Sequence, residues 1–302
     1  MKKFWKKTSL FLVTAAMTVS APLMAWALEH DIVILHTNDI HCGINDNIGF
    51  AGLAQIKKDA LARTPNVALV DAGDAIQGAP IGKLSRGLAV VDIMNYLGYD
   101  FCIPGNHEFD YGMDRFLELV PLQRAGYYCA NFVYAGNNKQ VLPGYKIMQY
   151  EDTKVAFVGA STPESLTTST PTFFQNEKGK YIYSFCEDKT GNKLYKQLQK
   201  NVDKARKDGA DYVFIVGHLG MDGTTPQWSS ESVAKNTQGV DAVIDGHSHE
   251  RFTRMVKNKV GKDVLLAQTG TKLKTVGELV ITPNGKLKSQ LITESNDKDA
   301  NL

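Results

Sequence analysis

The chain has 302 residues, 43% of them hydrophobic, with 34 basic against 32 acidic side chains and a formal net charge of +2. That length and apolar share can bury one large core or two modest ones. The near-neutral balance, with no basic stripe, argues against a nucleic-acid polymer or a membrane surface as partner.

Residues 1–27 read as an export leader. Lys2, Lys3, Lys6 and Lys7 precede an apolar run over 10–24, and Ala25-Trp26-Ala27 forms an A-x-A cleavage site. The run is too short and too rich in Ala, Ser and Thr for a stable membrane anchor. No Cys follows the cleavage point, which argues against a bacterial lipoprotein. The mature chain is expected to begin near Leu28 and to reside in the periplasm or outside the cell. Removing the four lysines leaves 30 basic against 32 acidic residues, a net of about −2.

Residues 31–36 form an apolar run that reads as a buried strand ending at Asn38, Asp39 and His41. A helix is expected over 51–63, with Leu53, Ile56, Ala60 and Leu61 near helical spacing, then a strand over 67–70 ending at Gly73-Asp74. A Gly-rich loop leads to a helix over 88–97, whose apolar face holds Val90, Val91, Met94 and Leu97 and whose end is marked by Gly98. A short strand over 99–103 opens into Pro104-Gly105-Asn106-His107-Glu108-Phe109-Asp110-Tyr111-Gly112, and an amphipathic helix is expected over 113–124. That stretch packs an amide, an imidazole and two carboxylates into five positions between two rigid elements, the setting in which catalytic groups are commonly held.

Residues 154–159 read as a strand ending at Ser161-Thr162-Pro163. Residues 163–190 show no clear period and read as an excursion whose aromatics, Phe173, Phe174, Tyr181 and Tyr183, pack locally or wall the site. A long helix with Leu194, Leu198, Val202 and Ala205 on one face follows, then a strand over 211–216 ending at His218. A short helix over 230–237 leads to a strand over 241–245 ending at Gly246-His247-Ser248-His249, whose alternate histidines can chelate on extended chain. Residues 265–268 and 277–282 are closing strands, and 294–302 a loose polar tail. Interleaved strands and helices make residues 28–293 an α/β layered domain. Cys42, Cys102, Cys129 and Cys186 are too scattered for a dense disulfide framework or a C-x-x-C zinc site, which leaves one bridge and free buried thiols both open. Cys42 is expected to face away from its neighbour His41, as successive side chains diverge on extended backbone.

A pattern repeats along the chain: an apolar strand, then a metal-ligand side chain at its C-terminal end. It occurs at Asp39/His41, Asp74, Asn106, His218 and His247/His249. Taken singly, such residues are commonly caps, turns or satisfied histidines. As an ordered set they can converge, because open α/β sheets build their sites at strand C-termini. Mixed nitrogen and oxygen ligands suit zinc, manganese, cobalt or iron better than calcium, with magnesium also open. Seven ligands exceed one tetrahedral ion, so two divalent metal ions sharing a bridging carboxylate are expected.

Leu35-His36-Thr37-Asn38-Asp39-Ile40-His41, Gly73-Asp74-Ala75-Ile76-Gln77-Gly78, Met94-Asn95-Tyr96-Leu97-Gly98-Tyr99-Asp100 and Gly105-Asn106-His107-Glu108-Phe109-Asp110 resemble the calcineurin-like metallophosphatases, specifically the bacterial and animal 5'-nucleotidase branch. The likeness covers nearly the whole mature chain. It implies a four-layer α/β/β/α sandwich with a dinuclear site between its sheets. Asp39, His41 and His249 would hold one ion, Asn106, His218 and His247 the other, and Asp74 would bridge them. His107 and Asp110 would form a catalytic dyad, the carboxylate fixing the imidazole tautomer, with Glu108 supporting the loop. The implied activity is hydrolysis of nucleotides or related small phosphate esters by a hydroxide generated at the ions. A 2',3'-cyclic phosphodiesterase, a nucleotide-sugar pyrophosphatase and a sulfur-ester hydrolase remain open. Nucleotidases of this branch carry a second, C-terminal domain that stacks the base between aromatic rings, and this sequence stops about twenty residues after its last expected strand. It therefore reads as a truncated or split product completed by a separate domain, a standalone hydrolase, or a metal-binding module without turnover.

Overall fold

The computed structural model describes residues 28–221 and 224–294; residues 1–27, read above as an export leader, and residues 295–302 of the expected polar tail lie outside them. Two sheets carry the architecture. The first has the order β13-β12-β1-β2-β3, built from β1 (Ile32–Thr37), β2 (Val67–Asp71), β3 (Phe101–Cys102), β12 (Thr275–Ile281) and β13 (Leu287–Thr293). The second has the order β10-β11-β9-β8-β6-β5, from β5 (Tyr145–Tyr150), β6 (Thr153–Ser161), β8 (Tyr212–His218), β9 (Ala242–Ile244), β10 (Arg251–Lys257) and β11 (Asp263–Thr269). A small antiparallel ribbon joins β4 (Val133–Tyr134) to β7 (Tyr183–Ser184).

The layers follow from strand alternation. Ile32 and Ile34 of β1, Ala68 and Val70 of β2, and Phe101 face Val155, Phe157, Phe214, Val216 and Ile244 of the other sheet in one apolar cluster. The intervening residues Val33, Leu35 and Leu69 face outward onto α1 (Gly49–Arg63), α3 (Leu88–Leu97) and α4 (Met113–Leu119), through Leu53, Val91, Met94 and Phe116. On the second sheet Ala156, Val158, Val213, Ile215 and Val243 pack under α6 (Asn192–Lys207) and α7 (Ser230–Asn236), which contribute Leu194, Leu198, Val202, Ala205 and Val233. Helix, sheet, sheet, helix: the expected four-layer α/β/β/α sandwich is the observed one. Strands covered on both faces read as unbroken apolar runs, which is why β1, β6 and β8 stand out in the sequence.

Several expectations need correction. The helix expected over 113–124 ends at Leu119 and tightens into a 3₁₀ turn over Val120–Leu122, because Pro121 supplies no amide to continue it. The Gly-rich loop holds a short helix, α2 (Pro80–Ser85), with Pro80 in its first turn. Leu61 is 49% exposed rather than part of the buried face of α1. The excursion contains α5 (Ser165–Thr168), a 3₁₀ turn over Pro171–Phe174 and β7, and its aromatics do not pack only among themselves: Tyr183 packs near Phe132 and Tyr134. Phe174 is buried, with its ring 5.2 Å from that of Phe109, while Tyr181 stays exposed. A further strand, β13, follows the last one expected from sequence. Cys42, Cys102 and Cys129 are buried free thiols, and Cys186 is a half-buried one.

Candidate metal centre

β1, β2 and β3 run parallel in one sheet, β8 and β9 in the other, and the loops leaving their C-terminal ends meet. The β1 and β2 loops are tied by backbone bonds from Asp39 N to Gly73 O and from His41 N to Asp74 O, both 2.9 Å. Contact with the β3 loop depends on two glycines. A Cβ on Gly73, whose φ is +90°, would lie 2.6 Å from Gly105 N, and one on Gly105 would lie 2.3 Å from Asp74 Oδ1. The buried Glu108 carboxylate then fastens these loops together, accepting from the amides of Asp74 (2.8 Å), Ala75 (2.8 Å), Ile76 (3.3 Å) and Gly105 (2.6 Å). Burial and the Asp74 carboxylate push Glu108 up to about 7. Glu108 thus has the supporting role expected of it. Across the second sheet, Asp245 Oδ1 accepts from Leu219 N at 2.9 Å, joining the β8 and β9 loops.

The expected ligand types gather here in two groups. Asp39, His41 and His249 form one, and Asp74, His218 and His247 the other, with the ligand atoms of each group all within 4.8 Å of one another. His41 Nε2 lies 3.1 Å from His249 Nε2, and Asp39 Oδ1 lies 3.2 Å from His249 Nε2 and 3.8 Å from His41 Nε2. Asp74 Oδ2 sits between the groups, 3.1 Å from His218 Nε2 and 3.9 Å from His41 Nε2. Asp39, His41, Asp74, His247 and His249 all have positive φ, a costly conformation for side-chain-bearing residues that persists where the surroundings impose it, characteristically at functional sites. His247 and His249 are therefore not on extended chain as expected, and they fall in different groups, the division that the family resemblance implies. Cys42 also departs from extended backbone (φ +57°), yet its side chain is buried in the helix-side apolar cluster, away from the ligand groups.

The orphaned atoms test whether these residues fit cations. Asp39 Oδ1, Asn106 Oδ1 and His218 Nε2 are buried without hydrogen-bond partners, which costs about 1–3 kcal/mol each unless something else satisfies them. Their partner atoms are already engaged. Asp39 Oδ2 accepts from Asn38 Nδ2 (2.6 Å) and His247 N (2.9 Å), and Asp74 Oδ1 from His107 N (2.8 Å). His41 Nδ1 and His218 Nδ1 lie 3.1 and 2.7 Å from the carbonyls of Gln77 and Ala72. Those bonds assign the proton to Nδ1 and leave each Nε2 lone pair toward the centre. Ligand atoms about 2.0–2.2 Å from a shared ion stand roughly 3–3.5 Å apart, close to the spacings seen. Burial opposes charge on His218, yet the Asp74 and Asp39 carboxylates push it up to about 10. Burial likewise opposes charge on Asp74, but the His218, His107 and His41 imidazoles hold it below the usual carboxylate range. A field that draws a proton this strongly draws a divalent cation, and the donor set fits two.

Beside these groups stands the expected pair. His107 Nδ1 lies 2.6 Å from Asp110 Oδ2, and the His107 ring is 5.3 Å from that of His41. The hydrogen bond to Asp110 raises His107 to about 9. Two supporting residues were not singled out from sequence. Ser169 Oγ donates to Asp110 Oδ1 at 3.0 Å. Glu164 Oε2 lies 3.0 Å from His247 Nε2, while its Oε1 accepts from Thr225 N at 2.6 Å and from the Thr225 hydroxyl. The His247 bond, against burial, holds Glu164 down at about 2. The excursion over 163–190 thus walls the site with polar side chains, not aromatic ones. The signal available for Glu164 was its place just beyond β6, the same strand-end position as the ligands.

Comparison with known proteins defines the class. The calcineurin-like phosphoesterase family model matches residues 32–251, and the chain belongs to that family. Among curated proteins it is 29% identical over 259 residues to a snake venom 5'-nucleotidase of Gloydius brevicauda, covering 80% of this chain and 40% of that protein. It is 27% identical over 272 residues to a 2',3'-cyclic-nucleotide 2'-phosphodiesterase/3'-nucleotidase of Haemophilus influenzae, covering 79% and 40%. Among solved structures, a 5'-nucleotidase precursor from Thermus thermophilus superposes with a TM-score of 0.72 at 25% identity, over 87% of this chain and 54% of that one. The chain spans about 40% of the length of these curated relatives.

Proposed function

We propose that this chain is a metal-dependent phosphoric ester hydrolase acting on nucleotides or related small phosphate esters. The observation that carries the reading is the set of buried, unpartnered ligand atoms at strand ends beside a tightly bonded His107–Asp110 pair. Asp39, His41 and His249 would hold one divalent ion, Asn106, His218 and His247 the second, and Asp74 would stand between them. When bound, the ions supply positive charge to phosphoryl oxygens and lower the pKa of water to roughly 7. The remaining work falls to the protein. Asp110, itself held by Ser169, keeps the His107 imidazole oriented and charged. As a water oxygen bonds to phosphorus and the ester oxygen–phosphorus bond breaks, the imidazolium stabilises charge on the phosphoryl group and gives its proton to the departing ester oxygen, leaving phosphate and a neutral alcohol. Glu164 orients His247, and Glu108 locks the loops that present Asp74 and Asn106.

Residues 28–293 act in this reading as one catalytic domain. Export rests on the leader pattern of residues 1–27; among the described residues no helix is long and apolar enough to cross a membrane. Hydrolysis of 2',3'-cyclic nucleotides is the second reading, favoured by the Haemophilus influenzae relative, which matches nearly as well as the venom nucleotidase. The test is turnover of p-nitrophenyl phosphate, its bis-ester, 5'-AMP and a 2',3'-cyclic nucleotide by the full chain and by His107→Ala. Monoester turnover that is abolished in His107→Ala supports the first reading, and preference for the diesters supports the second. Metal binding with no ester turned over would replace both with a binding module completed by another domain.

A further inference from the structure

Asp110, the partner of His107, lines a cavity of about 600 Å³ that the proposed chemistry does not use. Three segments wall it. Gln77 and Gly78 come from the loop that carries Asp74, Lys83 from α2, and Thr168, Ser169 and Thr170 from the excursion that folds back onto Asp110. The cavity shares Asp110 with the dyad, and the Gln77 carbonyl on its wall is the group that orients His41. Its volume lies within the range of small-molecule sites.

The lining contains donors the fold does not use. Ser169 Oγ is spent on Asp110, and Thr168 Oγ1 on the Glu164 carbonyl. The Lys83 ammonium, the Gln77 side-chain amide and the Thr170 hydroxyl have no hydrogen-bond or ion-pair partner among the described residues. Asp110, the cavity's carboxylate, already receives His107 and Ser169, so Lys83 is the unbalanced charge in the space. Among the described residues, Tyr111 is the only aromatic side chain lining this cavity.

Building on the hydrolase reading, we propose that this cavity is a subsite for a second anionic group, carboxylate or phosphoryl, on the leaving moiety of the ester, engaged by Lys83 with Gln77 and Thr170 as neutral donors. The enzyme then favours esters whose alcohol is itself an anion over esters of neutral alcohols.

The experiment compares the full chain with Lys83→Met and Lys83→Arg on phenyl phosphate, 4-carboxyphenyl phosphate and 1,4-phenylene bisphosphate. Calorimetric binding of phenylphosphonate and 4-carboxyphenylphosphonate, which cannot be hydrolysed, runs in parallel. Wild type is expected to favour the anionic members by about fivefold in kcat/KM, mainly through KM, the size of one partly screened ion pair. That preference should shrink with added salt, vanish in Lys83→Met and survive in Lys83→Arg. The ester that keeps the larger preference distinguishes a carboxylate from a phosphoryl partner. An anionic-to-neutral ratio that is the same in wild type and Lys83→Met overturns the subsite. Equal phosphonate affinities with esters turned over sink the subsite alone. Lys83-dependent phosphonate discrimination with no ester turned over sinks the hydrolase reading and leaves the subsite standing.

Discussion

Glu164→Gln offers a sharp test of how the second ligand group is built. The wild-type carboxylate receives three hydrogens, one from His247 Nε2 and two from Thr225. A carboxamide has one accepting oxygen and one NH2. If the oxygen stays with Thr225, the NH2 faces His247 Nε2, and the imidazole must turn to the tautomer with its proton on Nδ1, which removes the lone pair needed toward Asp74 and His218. If instead the oxygen stays with His247, the half-buried Thr225 amide loses its acceptor. Either way one ligand is loosened, and losing such a supporting partner typically weakens metal affinity about 10- to 100-fold. The assay is chelator-competition titration of metal into stripped protein, with a thermal melt as a control for folding. One of the two binding steps should weaken by that factor while the step assigned to Asp39, His41 and His249 moves by less than about twofold. Two unchanged steps, or two steps weakened equally, would refute the argument.

Three further outcomes are expected. In Asp110→Asn, the His107 titration followed by NMR in stripped protein should fall from about 9 toward 6.5, because the hydrogen bond that raises it is weakened, and monoester turnover should drop by about 10²–10⁴; an unmoved titration would contradict the pairing. His36 is buried with neither ring nitrogen bonded, and burial lowers it to about 3. The unfolded chain takes up that proton below about 6.5 while the fold refuses it until about 3. The stability present above 6.5 is therefore lost at roughly 1.4 kcal/mol per pH unit as pH falls through that window. His36→Leu should flatten denaturant-measured stability across it, and an unchanged pH slope would count against the assignment. Gly277 lies across from His36, and a Cβ there would sit 1.9 Å from His36 Nε2. Gly277→Ala should cost about 1–3 kcal/mol by overpacking, and a melt shift near zero would contradict it.

Legibility in the sequence followed burial. β1 and β8 were readable because both faces are covered, leaving no polar alternation to confuse the pattern. The edge strands β5, β10 and β13 were missed for the opposite reason. β10 carries Arg251, Arg254 and Lys257 on a largely exposed ribbon, charges that keep an open edge from pairing with another chain. α2 was hidden in a run that resembles loop composition, and the end of α4 was misplaced although Pro121 marked it. The candidate ligands were readable because each follows an apolar strand, so one-dimensional order predicted three-dimensional convergence. How His247 and His249 divide between the two groups depends on backbone turns at positive φ, which composition does not encode. Glu164 and Ser169 reach the site only because residues 163–190 fold back over it, a tertiary outcome without a local period.

Metal dependence of turnover decides whether the ligand groups are a hydrolytic centre. Protein stripped with chelator would be titrated with manganese or zinc while p-nitrophenyl phosphate hydrolysis is followed. Activity absent at the start that rises to saturation at two ions per chain is the predicted result. Turnover that survives stripping, saturation at one ion, or two bound ions with no turnover would contradict it.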